Sequence, residues 1–207
     1  SENGIGPSAS VLEIDNTRIG VDYGLEFLPG KKYGYPNEKV LKGEKLDYLL
    51  LTHAHTDHIG SIPVGWRRGV FKDNLQILAT PQTKAAIWPA LFETWKRVPE
   101  CGGDFTTILK TERQCELIPF GEFTLTNGLK AFFGPAGHVP GAFYTIIKAN
   151  EKNILFMGDV CWHHQEVVAG SDIPDDIPDA WLPDVIAITD LTNVEERTSD
   201  YELEESR

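Results

Sequence analysis

Apolar residues along this chain fall into short blocks separated by turn-forming residues. In "SVLEIDNTRIGVDYG" (10–24), branched apolar residues flank the pair "DN", which predicts two short strands joined as a hairpin. "LDYLLLT" (46–52) and "LQILAT" (75–80) are continuous apolar runs of the length expected for strands buried on both faces. Between 115 and 160, "CELIPF", "FTLTNG", "LKAFFGPAGH", "AFYTIIKA" and "NILFMGD" predict further strands, divided by the turn signals "GE", "NG", "PG" and "NEKN". "PDVIAITDL" (183–191) predicts a last buried strand.

The helical period appears in "PQTKAAIWPALFETWKR" (81–97), with apolar positions at 87, 88, 91, 92 and 95. That face predicts Trp88 and Trp95 as core residues, with Pro89 kinking the helix or beginning its second half. "IGSIPVGWRRGV" (59–70) predicts a short helix broken near Pro63. Residues 24–45 are rich in Gly, Pro and Lys and predict a loop with one short turn. Residues 170–184 are acidic, carry three prolines, and predict a loop over the surface. There is no internal repeat and no low-complexity tract. Strands outnumber helices, so the class is mixed α/β with packed sheets.

Composition narrows the picture. With 207 residues, 41% of them apolar, the chain can bury a sizeable core as one large domain or two small ones. No window approaches the roughly 20 apolar residues that span a bilayer. "SENGIGPSAS" has neither the basic start nor the apolar middle of an export signal. Cys101, Cys115 and Cys161 are odd in number and scattered, and none forms a CxxC pair. They predict small buried apolar residues and a reducing, cytoplasmic setting rather than a disulfide framework. The net charge of −12 counts against a surface that grips nucleic acid through phosphates alone. It does not exclude a phosphodiesterase, because bound divalent metals add local positive charge.

The chemistry concentrates in "LTHAHTDHIG" (51–60), where three of the chain's six histidines lie within six positions. Residues two apart on an extended chain point the same way, so His53 and His55 can reach one metal. Asp57 and His58 lie where the chain turns into the next helix and can address a second point close by. Imidazole and carboxylate are the usual donors for zinc and similar ions. Two further candidates sit at strand ends: His138 in "GPAGHVPGAF", framed by Gly137 and Gly141, and Asp159 after "NILFMG".

HxHxDH, then a histidine about 80 residues on and "GD" about 20 later, resembles the metallo-β-lactamase fold superfamily. The resemblance covers residues 8–197 and implies an αββα sandwich over 1–207, incomplete at the C-terminus, with 196–207 as a tail or the start of an insertion. It implies a first metal on His53, His55 and His138, and a second on Asp57 and His58 with Asp159 as the bridging carboxylate. Asp57 and Asp159 would be the catalytic carboxylates, and Asp22 in "GVDYG" would support the metal loop through hydrogen bonds. The implied cofactor is one or two zinc ions, with manganese as an alternative. "ATPQTKA", "GHVPGAF" and "PDVIAITDLTN" are similar to the β-CASP nuclease branch, where an acidic residue follows the last strand; Asp190 stands there.

The implied function is a metal-dependent phosphodiesterase or nuclease acting on RNA or single-stranded DNA through a metal-bound hydroxide. The alternatives are a thioester or lactone hydrolase of the same fold, or a non-catalytic metal-binding subunit. The family's second metal normally takes one more histidine near the C-terminal end of the fold. After Asp159 only His163 and His164 remain, as ligands, substrate contacts or a polar loop. The chain therefore resembles the first half of a longer protein, or a reduced relative. The expected partners are a second copy of the chain, as a homodimer, or a C-terminal partner segment, and a partner chain supplying that histidine would make a split enzyme.

Overall fold

The structure is a computed structural model that describes residues 7–187, apart from 31 and 102–104. The first seven strands are β1 (Ser10–Ile14), β2 (Thr17–Val21), β3 (Glu26–Leu28), β4 (Lys32–Gly34), β5 (Leu46–Leu50), β6 (Phe71–Ala79) and β7 (Cys115–Leu117). The remaining strands are β8 (Gly121–Thr124), β9 (Lys130–Pro135), β10 (Phe143–Ala149), β11 (Lys152–Phe156) and β12 (Val185–Ala187). The helices are α1 (Thr56–Ile59), α2 (Ile62–Arg68), α3 (Pro81–Arg97) and α4 (Thr106–Arg113).

Two sheets of five strands carry the fold, in the orders β1-β2-β5-β6-β7 and β12-β11-β10-β9-β8. In the first, the β1–β2 hairpin is antiparallel and β2, β5, β6 and β7 run parallel. The second is antiparallel except for β12, which runs parallel to β11. The inner faces meet in one apolar layer, with Ile19, Val21, Leu50 and Leu78 packed against Phe133, Phe143, Ile147 and Phe156. Burying each such side chain contributes about 1.5–3 kcal/mol. The outer face of the first sheet is covered by helices, which bring Ile59, Ile62, Ile87, Leu91 and Ile108 onto Leu49 and Ile77. On the outer face of the second sheet, among the described residues, the cover is the segment that carries Ile177 and Trp181.

Several elements differ from the sequence expectation. Residues 24–45 hold the β3–β4 hairpin and a 3-10 turn at Glu38–Leu41, where a loop was expected. Strands of three residues are too short for periodicity to register. Pro63 does not break a helix but lies in the first turn of α2, where its missing N–H costs nothing. Helix α3 runs through Pro89, and its buried stripe is Thr83, Ile87, Leu91 and Thr94. Trp88 therefore is not a core residue: it is 37% exposed. Trp95 is half-buried. Trp95 packs against the core beneath the helix, and both join a stack with Phe92 and Phe105. Helix α4 had no counterpart in the sequence reading.

The acidic 170–184 segment is more than a surface loop. Trp181 is 1% exposed and donates its indole N–H to Glu122 Oε1 at 2.8 Å. The last strand, expected to be buried, is an edge strand whose Val185 and Ile186 are 45% and 57% exposed. An apolar run predicts two-sided burial, yet among the described residues β12 has a neighbour on one side only. Cys115 is buried, and burial pushes its thiol up to about 11. Cys161 is only half-buried, and both are free thiols. No described helix is long and apolar enough to cross a membrane.

Candidate metal centre

The site lies where the two sheets touch at one end of the sandwich. Phe143 at the start of β10 donates its N–H to the carbonyl of Thr52, two residues past β5, at 3.0 Å. That bond sets the chain carrying His53 beside the loop carrying His138. Gly158 closes the third side. It has φ +61°, and a Cβ there would lie 3.0 Å from Thr52 Cβ, so its backbone fits against the start of the histidine loop only as glycine. Asp159 follows directly.

Strand register places Asp22. Val21 lies beside Leu50, and Asp22 N–H continues the ladder to Leu50 O at 2.9 Å. Asp22 has φ +61°, a conformation that aspartate tolerates better than most residues, and is fully buried. Its carboxylate accepts from Thr52 N–H at 2.8 Å, from Thr52 Oγ1–H at 2.7 Å and from His58 Nδ1–H at 2.7 Å.

This network fixes two imidazole tautomers. With Nδ1 of His58 donating to Asp22, its Nε2 faces the cluster. The Thr52 hydroxyl gives its proton to Asp22 and accepts from His53 Nδ1 at 3.2 Å, which turns the His53 Nε2 lone pair inward as well. His53 is 0% exposed, and its Nε2 has no hydrogen-bond partner. Burial, and then the neighbouring His58, hold His53 down to about 2, so it is neutral and available as a donor.

The rings of His53, His55 and His138 meet edge to face, with centroids 4.5–4.9 Å apart. His55 Nδ1 lies 3.2 Å from His138 Nε2. Asp159 Oδ2 lies 3.7 Å from His53 Nε2 and 3.4 Å from His138 Nε2. One donor atom from each of His53, His55, His138 and Asp159 falls within 4.8 Å of all the others. The other oxygen of the same carboxylate, Oδ1, lies 2.9 Å from His58 Nε2, and Asp57 Oδ2 lies 3.8 Å from that nitrogen. Asp159 thus faces two groups of donors, one with each oxygen.

The donor set fits a divalent cation. A buried His53 Nε2 without a partner is costly unless something electrophilic meets it. At His58, burial disfavours charge, but the Asp22 and Asp159 carboxylates outweigh it and push the imidazole up to about 11. The positive charge that this carboxylate pair demands is what a metal would provide. Burial raises the Asp57 carboxyl, and burial lowers His138.

The remaining candidates lie elsewhere. His163 and His164 are exposed on the segment after Asp159 and stand outside the four-residue group. His164 Nδ1 accepts from Gly170 N–H at 3.2 Å. Asp190 lies outside the described residues. Two contributors carried no sequence signal. One is Thr52, which relays Asp22 to His53. The other is Gln165, whose Nε2 donates to the carbonyls of Gly137 and His138 at 3.0 and 3.1 Å.

Gly141 has φ +82°, and a Cβ there would lie 2.5 Å from Thr80 Oγ1 and 2.7 Å from Gln82 Cβ. Gly141→Ala should therefore destabilise the protein by about 1–3 kcal/mol. Urea unfolding measures this; an unchanged midpoint would contradict the close approach described.

A family model described as "Metallo-beta-lactamase superfamily" matches residues 8–192. Among curated proteins, "Ribonuclease TTHA0252" of Thermus thermophilus is 25% identical over 81% of this chain and 38% of its own length. "Cleavage and polyadenylation specificity factor subunit 3-I" of Arabidopsis thaliana is 26% identical over 98% of this chain and 28% of its own length. "Endoribonuclease YSH1" of Candida albicans is 25% identical over 86% and 22%. The chain thus spans well under half the length of these relatives. A crystal structure of a protein of unknown function from Enterococcus faecalis V583 superposes with a TM-score of 0.51 at 18% identity, covering 77% of this chain and 41% of that one. At that identity the likeness is one of fold.

Proposed function

Because the chain belongs to the metallo-β-lactamase superfamily, we propose that it is a metal-dependent phosphodiesterase of the β-CASP type whose substrate is RNA. The observation that carries this reading is Asp159, whose two oxygens face two donor groups. The similarity to proteins named as ribonucleases supports the choice of substrate. Zinc is the metal that best suits the donors, and manganese is compatible with the mixed imidazole and carboxylate set.

His53, His55, His138 and Asp159 Oδ2 would hold one ion. Asp57, His58 and the same Asp159 carboxylate would hold a second, more weakly, since fewer donors reach it among the described residues. When bound, divalent metals make water a stronger nucleophile at neutral pH and stabilise charge developing on phosphoryl oxygens. The chain's part is to keep the donors in place. Asp22 holds the proton on His58 Nδ1, Thr52 holds His53, and Gln165 donates to the carbonyls of Gly137 and His138, holding that loop. Asp190 would act from outside the described residues as a supporting carboxylate.

The test is a side-by-side assay of the reconstituted protein on single-stranded RNA, single-stranded DNA, a generic phosphodiester, a thioester and a lactone. RNA cleavage that a chelator abolishes and added zinc restores is the expected result. Thioester or lactone turnover with no phosphodiester hydrolysis would overturn the reading.

A further inference from the structure

A cavity of about 300 Å³ opens beside the metal centre, between the first turns of α3 and the loop that follows His138. His55 belongs both to the donor group and to the wall of this cavity, so the two spaces are adjacent. Ala54, Ala86, Val139 and Pro140 supply small apolar walls. Among the described residues no lysine, arginine or carboxylate lines it, so the cavity suits an uncharged group rather than a phosphate. The volume is at the small end for ligand pockets, which span about 300–1,000 Å³, and suits one ring system rather than an extended molecule.

The walls are held in place. Thr80 Oγ1 donates to Gly141 O at 2.8 Å and accepts the N–H of Thr83, tying the start of α3 to the histidine loop. The Thr83 hydroxyl, also lining the cavity, is engaged with Thr80 and Gly141. That leaves Gln82, which is exposed, as the lining side chain with a hydrogen-bonding group to offer. Its amide presents a donor and an acceptor together, the combination that reads the edge of a nucleobase.

We propose that this cavity receives the base of a nucleotide flanking the scissile phosphate, with Gln82 as a specificity-determining residue at its edge. The inference rests on the phosphodiesterase reading: a phosphate at the donor group places a base one sugar away, and the neutral cavity lies on the other side of His55. A nucleobase meets each feature, being flat, uncharged and rimmed with donors and acceptors.

The experiment measures binding of metal-loaded protein to a short single-stranded oligonucleotide with non-hydrolysable linkages, scanned with an abasic residue at each position. The wild type should show one position where loss of the base lowers affinity about tenfold, the scale of losing one base contact. Ala86→Phe, which fills the cavity, should bind the base-bearing strand no better than the abasic one. Gln82→Ala should change which base is preferred and leave abasic affinity unaltered. A flat abasic scan in the wild type, or an Ala86→Phe protein that keeps the position dependence, would overturn the proposal. Hydrolysable RNA assayed in parallel separates the two readings. Cleavage with a flat scan removes the base pocket and leaves the phosphodiesterase. Position-dependent binding without cleavage keeps the pocket and removes the phosphodiesterase.

Discussion

Replacing Asp22 with alanine should lower metal affinity by about ten- to a hundredfold, the usual cost of losing a residue that orients a metal ligand. In the metal-free protein it should also lower the unfolding free energy by about 3–5 kcal/mol, the scale for breaking a buried ion pair. The reason lies in what the carboxylate does. It accepts three hydrogen bonds in a fully buried position, from Thr52 N–H, Thr52 Oγ1–H and His58 Nδ1–H. Alanine strands all three donors. It also releases the His58 ring, and it leaves the Thr52 hydroxyl free to turn away from His53. Asp22→Asn is the sharper variant. One oxygen becomes an NH₂ group, so the amide must face either Thr52 or His58 with a donor against a donor. Calorimetric titration with zinc and urea unfolding read the two effects separately. A variant that loses stability but binds zinc as tightly as the wild type would contradict the orienting role.

Asp159→Asn should leave the fold intact and reduce hydrolysis by roughly a thousandfold, the order lost when a preorganised polar group is removed from a reacting centre. Asp159 stands past the end of β11, half-buried and outside the apolar layers, so no core packing depends on it. Its two oxygens face different donor groups, and an amide can offer an oxygen to only one of them. The variant should therefore keep one ion and lose the other. Metal analysis and kcat on RNA check this, with circular dichroism confirming the fold. Full activity in Asp159→Asn would mean that the carboxylate does not link the two groups.

Much of this arrangement was legible in the sequence because it is local. HxHxDH follows an apolar run, and a parallel strand buried on both faces ends where such a loop must begin, so the positions of His53, His55, Asp57 and His58 are written in consecutive residues. The strands of the second sheet were legible for the same reason: glycine and asparagine turns separate them at short intervals. What escaped depends on contacts between distant segments. Trp88 lies on the apolar side of α3 by count, but the groove against the first sheet is filled by Ile87 and Leu91, which leaves Trp88 to stack on Phe92 and Phe105. Nothing in "DVIAI" distinguishes an edge strand from a central one; the difference is whether a neighbour lies on its far side. Thr52 looks like the end of a strand until the register of β2 against β5 brings Asp22 beside it. Gln165 matters because its segment folds back on the His138 loop, which no spacing announces.

The central claim is that these side chains hold metal. It is tested most directly by measuring metal per chain after reconstitution with zinc and removal of loose ions, in the wild type and in His55→Ala, with the ligands identified by anomalous diffraction. The account predicts at least one tightly held ion per wild-type chain, bound by His53, His55, His138 and Asp159, with any second ion weaker, and a marked loss in His55→Ala. A wild-type protein that stays metal-free after reconstitution, or an ion bound away from these residues, would contradict it.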